Sequence, residues 1–254
     1  MEAQINQDIL KNENIRIRAA AIVAAGKAGN REAVGPLIET LENRSEIDWL
    51  RACAAIALGR LSGEEVILPL INALRDDSLT VCRAAILALG DVRSRQAVPP
   101  LKAIMEDPRK KELHAPAITV LGEIGGPEVE VTLLQALKGS NSGVRARAAL
   151  ALGERRTEAA IVPLTKLLKA GDECLRAVAA SSLGLIGDKR AAETLIEALD
   201  DSAETIRSVA ASSLGCLGDD RAIPPLEKAL DDQSQAVRQQ AAAALSKIRG
   251  IKRR

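Results

Sequence analysis

The chain has 254 residues, a formal net charge of +1 and 47% hydrophobic residues. Near-neutrality excludes a global field that would draw it to nucleic acid or anionic lipid. The longest apolar runs, such as Ala19 to Ala25, are far too short to span a bilayer.

Within that composition the apolar residues are almost all Ala, Leu, Ile and Val; Phe and Tyr are absent and Trp49 is the single tryptophan. Small aliphatic side chains suit close packing of one helix on another. The segment from Met1 to Lys11 is polar and lacks the apolar stretch of a secretory leader. Cys53, Cys82, Cys174 and Cys216 form no CxxC pair. These features give the expectation of a cytoplasmic protein with reduced thiols.

A unit of about 31 residues recurs along the whole chain. Gly59, Gly90, Gly122, Gly153, Gly184 and Gly215 lie 31, 32, 31, 31 and 31 residues apart. Eight residues earlier an arginine keeps the same beat, at Arg18, Arg51, Arg145, Arg176, Arg207 and Arg238. Cys82 and His114 hold that place in the third and fourth units. A fixed period of this size predicts a solenoid in which each unit packs on its neighbours. The fold class expected is all-α, a right-handed α-α superhelix of eight helical pairs. The units fall near 1–29, 30–62, 63–93, 94–125, 126–156, 157–187, 188–218 and 219–254.

In chain order, the first pair is expected to start near Glu2. The second unit contains the loop Glu42 to Asp48, two residues longer than usual and followed by Trp49. Before the fourth unit's second helix, Asp107 to Glu112 is one residue longer and locally basic. That helix carries His114 and, in its expected first turn, Pro116, which should delay or bend it. In the fifth unit Arg155 and Arg156 occupy places usually held by an apolar residue and often glycine. Drift in a tolerant loop is the plainer reading of each irregularity; the fourth unit alternatively marks a bend.

The run from Gly218 to Asp232 shows one unit most clearly. Gly218 fits the left-handed position after a helix and Asp219 the N-cap of the next. Leu226 and Leu230 are four apart, which places both toward the core. Asp231 and Asp232 end the first helix and open the turn to the second. There, a branched apolar residue precedes the arginine place in every unit, from Ile17 to Val237, and a leucine follows seven residues later in all but the first. This is the period of a buried helical face. Glycine one step further costs about 1 kcal/mol relative to Ala inside a helix. Its recurrence therefore predicts close crossing by a neighbouring helix.

The runs Gly187-Asp188-Lys189-Arg190-Ala191 and Gly218-Asp219-Asp220-Arg221-Ala222, with Val-Arg, Ala-Ala and Leu-Gly further on, resemble HEAT repeats. The short unit is similar to the variant named after phycobilisome lyases. The resemblance covers essentially the whole chain and implies a ladder of inter-helix Asp with an Arg six residues on, here Asp201 with Arg207 and Asp232 with Arg238. Gly139 and Ala170 break the aspartate column, so the ladder is expected near the C-terminus and in patches elsewhere. The resemblance also implies that the second helices line a binding groove.

Positions two before, and two, five and nine after, the arginine place share one face of those helices. They vary, while the buried columns do not. Groove candidates in the N-terminal part are Trp49, Cys53, Ile56 and Arg60, with Arg83 and Leu87 after them. Trp49 is either an anchor for a partner or packs on the longer loop before it. The middle is acidic, with Glu123 and Glu154 among the candidates. The C-terminal part is apolar, with Val178, Leu185 and Val209, and suits a partner helix or a second copy of this chain.

Catalytic constellations are not apparent. One histidine supports no His-Glu metal pairs, and the cysteines lie in four different units. No phosphate-binding or dinucleotide fingerprint occurs, and paired carboxylates such as Asp76-Asp77 sit at turns, where capping explains them. The expected function is a non-enzymatic scaffold for a protein partner, with no cofactor, metal, nucleic acid or membrane. The alternative is a subunit of a bilin lyase or a related chromophore-handling protein.

Overall fold

The computed structural model describes residues 12–251. Among them are fifteen α-helices and no strand. The chain divides into two compact bodies, the first ending at Val129 and the second beginning at Glu130. The first pair's opening helix, expected near Glu2, lies outside the described residues.

The first body holds α1 (Ile15–Ala28), α2 (Val34–Glu42), α3 (Asp48–Leu61), α4 (Ile67–Ala73), α5 (Leu79–Val92), α6 (Val98–Glu106) and α7 (Lys111–Ile124). Helices α2 and α3, α4 and α5, and α6 and α7 pack as pairs. The longer second members, α1, α3, α5 and α7, pack in sequence on one another. The division between bodies falls inside α8 (Pro127–Ala136). After it come α9 (Ser142–Glu154), α10 (Ile161–Ala170), α11 (Glu173–Ile186), α12 (Ala192–Glu197), α13 (Glu204–Leu217), α14 (Ile223–Lys228) and α15 (Gln235–Ile251). In the second body α9, α11, α13 and α15 form the corresponding row. The pattern in each body is that of an α-α superhelix.

Single residues set the boundaries of these elements. Asn30, Ser94, Asp188 and Asp219 each accept the backbone N–H two residues on, capping a short 3₁₀ turn that leads into a first helix. Eleven residues after the arginine place the chain turns with positive φ in seven successive units. Gly29, Gly125, Gly187 and Gly218 do so without a Cβ penalty, whereas Ser62, Arg93 and Arg156 do so at φ 53–54° despite their side chains. Arg156, singled out as a departure from the repeat, is thus a left-handed helix terminator built without glycine.

The expected buried columns fill the core. Leu50, Val81, Leu113, Ile206 and Val237 are all fully buried, as are Leu58, Leu89, Leu121 and Leu214. Ile17 departs from its column, at 43% exposed; no preceding second helix packs on α1 among the described residues. Leu226 is buried but Leu230, expected beside it, is 39% exposed. The matching Leu199 is covered; no further pair packs on α14 and α15 among the described residues. Pro116 neither delays its helix nor lies in its first turn. The helix begins at Lys111, and Pro116 sits inside it, leaving the carbonyl of Glu112 without its helical donor.

The glycine column creates the close crossings. A Cβ on Gly59 would lie 2.6 Å from Ala88 Cα, and one on Gly26 2.9 Å from Ala57 Cα. In the second body Gly153 faces Ser182, Gly184 faces Ser213 and Gly215 faces Ala244, all closer than 3.0 Å to the Cβ position. Each of these five glycines therefore meets a small residue on the next second helix, whereas Gly90 meets Val120, and the contact fixes how neighbours slide along each other.

Candidate protein-binding face

One edge of each row is held by ion pairs between units. Arg207 Nε and Nη2 donate to the two carboxylate oxygens of Asp232 at 2.8 and 2.9 Å. Arg176 holds Asp201 in the same way, with both bonds at 3.0 Å. In the first body Arg51 donates to Asp76, and both side chains are buried. The residues six apart touch differently: Arg207 Nη1 donates to the backbone carbonyl of Asp201 at 3.0 Å and Arg238 Nη1 to that of Asp232 at 2.6 Å. Asp201 with Arg207, and Asp232 with Arg238, are thus members of different rungs, each carboxylate belonging to the arginine of the unit before. The bond from Arg207 holds the Asp232 carboxyl below the usual range. Burial pushes Asp201 up, but the Ala203 N–H and Arg176 outweigh it and the net shift is downward.

Where the ladder lacks a member, an inserted loop supplies one. Arg18 is gripped by Glu46, both bonds at 2.9 Å, and Arg44 adds a 2.5 Å contact to Asp76. Both Glu46 and Arg44 come from the long loop before Trp49. Cys82 replaces the third arginine, and its thiol donates to the Asp76 carbonyl at 3.1 Å. Lys110, from the insertion before α7, reaches back so that Nζ donates to the Leu74 carbonyl at 2.6 Å, 3.9 Å from Cys82 Sγ. Burial pushes the Cys82 thiol up, against the pull of Lys110. His114 Nε2 lies 3.0 Å from the Asp107 carbonyl. The two insertions thus brace the edge. The inserted charges Glu46 and Lys110 were the available sequence signal.

The other surface of the second helices is open. Trp49 is 53% exposed in the first turn of α3, beside exposed Ile56 and half-buried Cys53. Leu87 on α5 is 50% exposed and Val23 on α1 is exposed as well. The glycine contacts put Val23, Ile56 and Leu87 into one row, because Gly26 meets Ala57 and Gly59 meets Ala88. Arg60 and Glu123 are exposed on the same face, and Arg83 is exposed to one side of it. In the second body Glu154 and Leu185 are exposed, with Val178 and Val209 half-buried on neighbouring helices. Cys174 and Cys216 are exposed free thiols; Lys247 Nζ stands 3.3 Å from Cys216 Sγ. Among the described residues no three His, Cys, Asp or Glu side chains cluster to hold a metal. No described helix is long and apolar enough to cross a membrane.

Profiles of HEAT repeats match residues 5–89, 44–115, 109–174 and 161–246. No curated protein sequence matches the chain. Among solved structures, the complex of CpcE and CpcF of phycocyanin lyase from Nostoc sp. PCC7120 is similar at 24% identity over 95% of this chain and 92% of that one, with a TM-score of 0.54. Escherichia coli YibA is similar at 20% identity over 98% and 92%, with a TM-score of 0.70. Kap95p in complex with RanGDP is similar at 16% identity over 95% of this chain and 38% of that one, with a TM-score of 0.64. At these identities the likeness is one of fold. The profile matches run through all the repeating units in which ladder, glycine column and turns recur, and the chain belongs to the HEAT-repeat family.

Proposed function

We propose that this protein is a non-enzymatic scaffold that holds a protein partner on the open face of its second helices. One observation carries the proposal: Val23, Ile56 and Leu87 form an exposed apolar row beside Trp49, while the equivalent positions one helical step away are closed into the core. A lone exposed apolar residue is ordinary, but a row with an aromatic neighbour is the composition of a binding site. The fold supports the same use, since similar solenoids are found in complexes with protein partners, as in CpcE with CpcF and Kap95p with RanGDP.

The test is affinity capture from the native host with the wild-type chain and with the Trp49→Ala and Ile56→Asp variants. Loss of one defined partner in both variants, with unchanged helicity, supports the proposal; equal capture by all three chains overturns it. A shifted absorbance band on mixing the chain with bilin and an apo-phycobiliprotein would instead favour the chromophore-lyase reading. Sedimentation of the chain alone tests self-association through Val178, Leu185 and Val209.

A further inference from the structure

The charges that border the apolar row in the first body are ordered. On α1 the face begins at Arg16 and ends at Lys27; on α3 it ends at Arg60. On α5 it ends at Asp91, and on α7 it begins at Glu112 and ends at Glu123. All six are exposed, and none makes an ion pair among the described residues. By contrast Arg18, Arg44 and Arg51 on the ladder edge are all paired. One border of the row changes from Lys27 and Arg60 to Asp91 and Glu123, and the other changes in the same direction, from Arg16 on α1 to Glu112 on α7. Alternate second helices stand about 16–20 Å apart. That exceeds the screening length of roughly 8 Å at physiological salt, so a ligand meets the two signs separately.

We propose that this face takes an amphipathic helical segment of a partner protein, laid across α1, α3, α5 and α7. Its acidic end lies over α1 and α3 and its basic end over α7. The proposal rests on the scaffold function above and adds the partner's charge order. Four adjacent helices span about 24–30 Å between outer axes, the length of a helix of about 16–20 residues. Such a helix repeats its apolar side every two turns, about 10.5 Å. That is close to the spacing of the helices bearing Val23, Ile56 and Leu87. Opposite charges across the rims set orientation and suppress the reversed pose.

The probe is a synthetic helix of about 20 residues with Leu along one side, Glu confined to one half and Lys to the other. A control of equal composition alternates Glu and Lys. Binding to the full chain is followed by fluorescence anisotropy at low and physiological salt. The segregated peptide should bind about tenfold more tightly than the control. Lys27→Glu combined with Arg60→Glu should abolish that preference. Carbodiimide should join peptide Glu to Lys27, and peptide Lys to Glu112 or Glu123.

Equal affinity for the two peptides, no binding of the segregated one, or cross-links at other sites would overturn the charge order. Ile56→Asp separates the two levels of the proposal. If both peptides bind equally and Ile56→Asp releases both, the face is a binding site without charge order. If Ile56→Asp changes neither, the scaffold reading of this face fails as well.

Discussion

Arg207 and Asp232 are joined by two hydrogen bonds, 2.8 and 2.9 Å long, across 25 residues of sequence. The Arg207 side chain is only 8% exposed, so removing its partner strands a charge in the protein. Asp232→Ala should lower unfolding free energy by about 2–4 kcal/mol. Asp231→Ala, an exposed neighbour, should change it by less than about 0.5 kcal/mol. Urea titration of the two variants beside wild type checks the difference.

Acid should attack these same carboxylates. Asp201, Asp219 and Asp232 all have their pKa lowered from an ordinary value of 3.8, and Asp188 is lowered to about 2, by Arg190. A carboxyl whose pKa falls on folding contributes stability that is complete above its unfolded value and is lost as pH drops through the folded one. The melting temperature should therefore stay level from about pH 7 to 5 and fall steeply between about pH 4 and 2. Asp201→Asn with Asp232→Asn should start from a lower plateau and show a shallower acid limb. An acid limb identical to wild type would mean that these rungs do not set acid stability.

Glycine is required at the helix crossings and dispensable in an open helical turn. A methyl group on Gly59 would lie 2.6 Å from Ala88 Cα, a distance that backbone must move to relieve. Gly59→Ala should destabilise by about 2–3 kcal/mol, as overpacking does. Gly250, in the last turns of α15, has nothing within 4 Å of its Cβ position. Gly250→Ala should be neutral or stabilise by up to about 1 kcal/mol, because it reduces the freedom of the unfolded chain. Thermal unfolding should shift down for Gly59→Ala and stay level or shift up for Gly250→Ala.

The positive-φ turns offer stabilising changes. Ser62 adopts φ 54°, ψ −174°, a region populated almost only by glycine. Ser62→Gly should stabilise by about 1 kcal/mol, net of the loss of its hydroxyl bond to the Gly59 carbonyl. Arg156→Gly, at φ 53°, should gain a similar or smaller amount, about 0.5–1 kcal/mol. Denaturant midpoints of the two single variants and the double variant check both, and the effects should add because the turns share no partner.

The fold was legible in the sequence because the solenoid repeats its constraints. Leu58, Leu89 and Leu214 are buried for the same reason, and Gly59 and Gly184 face a small residue for the same reason. A column read once is read many times. The rungs were less legible, since spacing within one unit pairs Asp201 with Arg207, whereas the carboxylate of Asp201 turns to Arg176 of the preceding unit. That choice depends on the stacking of units, which no single unit contains. The loops holding Glu46 and Lys110 looked like drift, because their value lies in reaching residues 28 to 36 positions away. Leu230 was misplaced because its column says nothing of which neighbours cover it.

The second helices α3, α11 and α13 each carry both halves of a joint. On α13, Ser213 receives Gly184 from the helix before, and Gly215, two residues on, receives Ala244 from the helix after. The ladder is arranged likewise, with Asp201 serving the unit before and Arg207 the unit after. A unit is therefore interchangeable with its neighbours at the level of its connectors. Excising residues 188–218 would bring Gly184 opposite Ala244 and Arg176 opposite Asp232, the pairings already in use one step along. Gain or loss of whole units is thereby open to the chain as a way to change the length of its open face while keeping the glycine joint and the Arg–Asp rung.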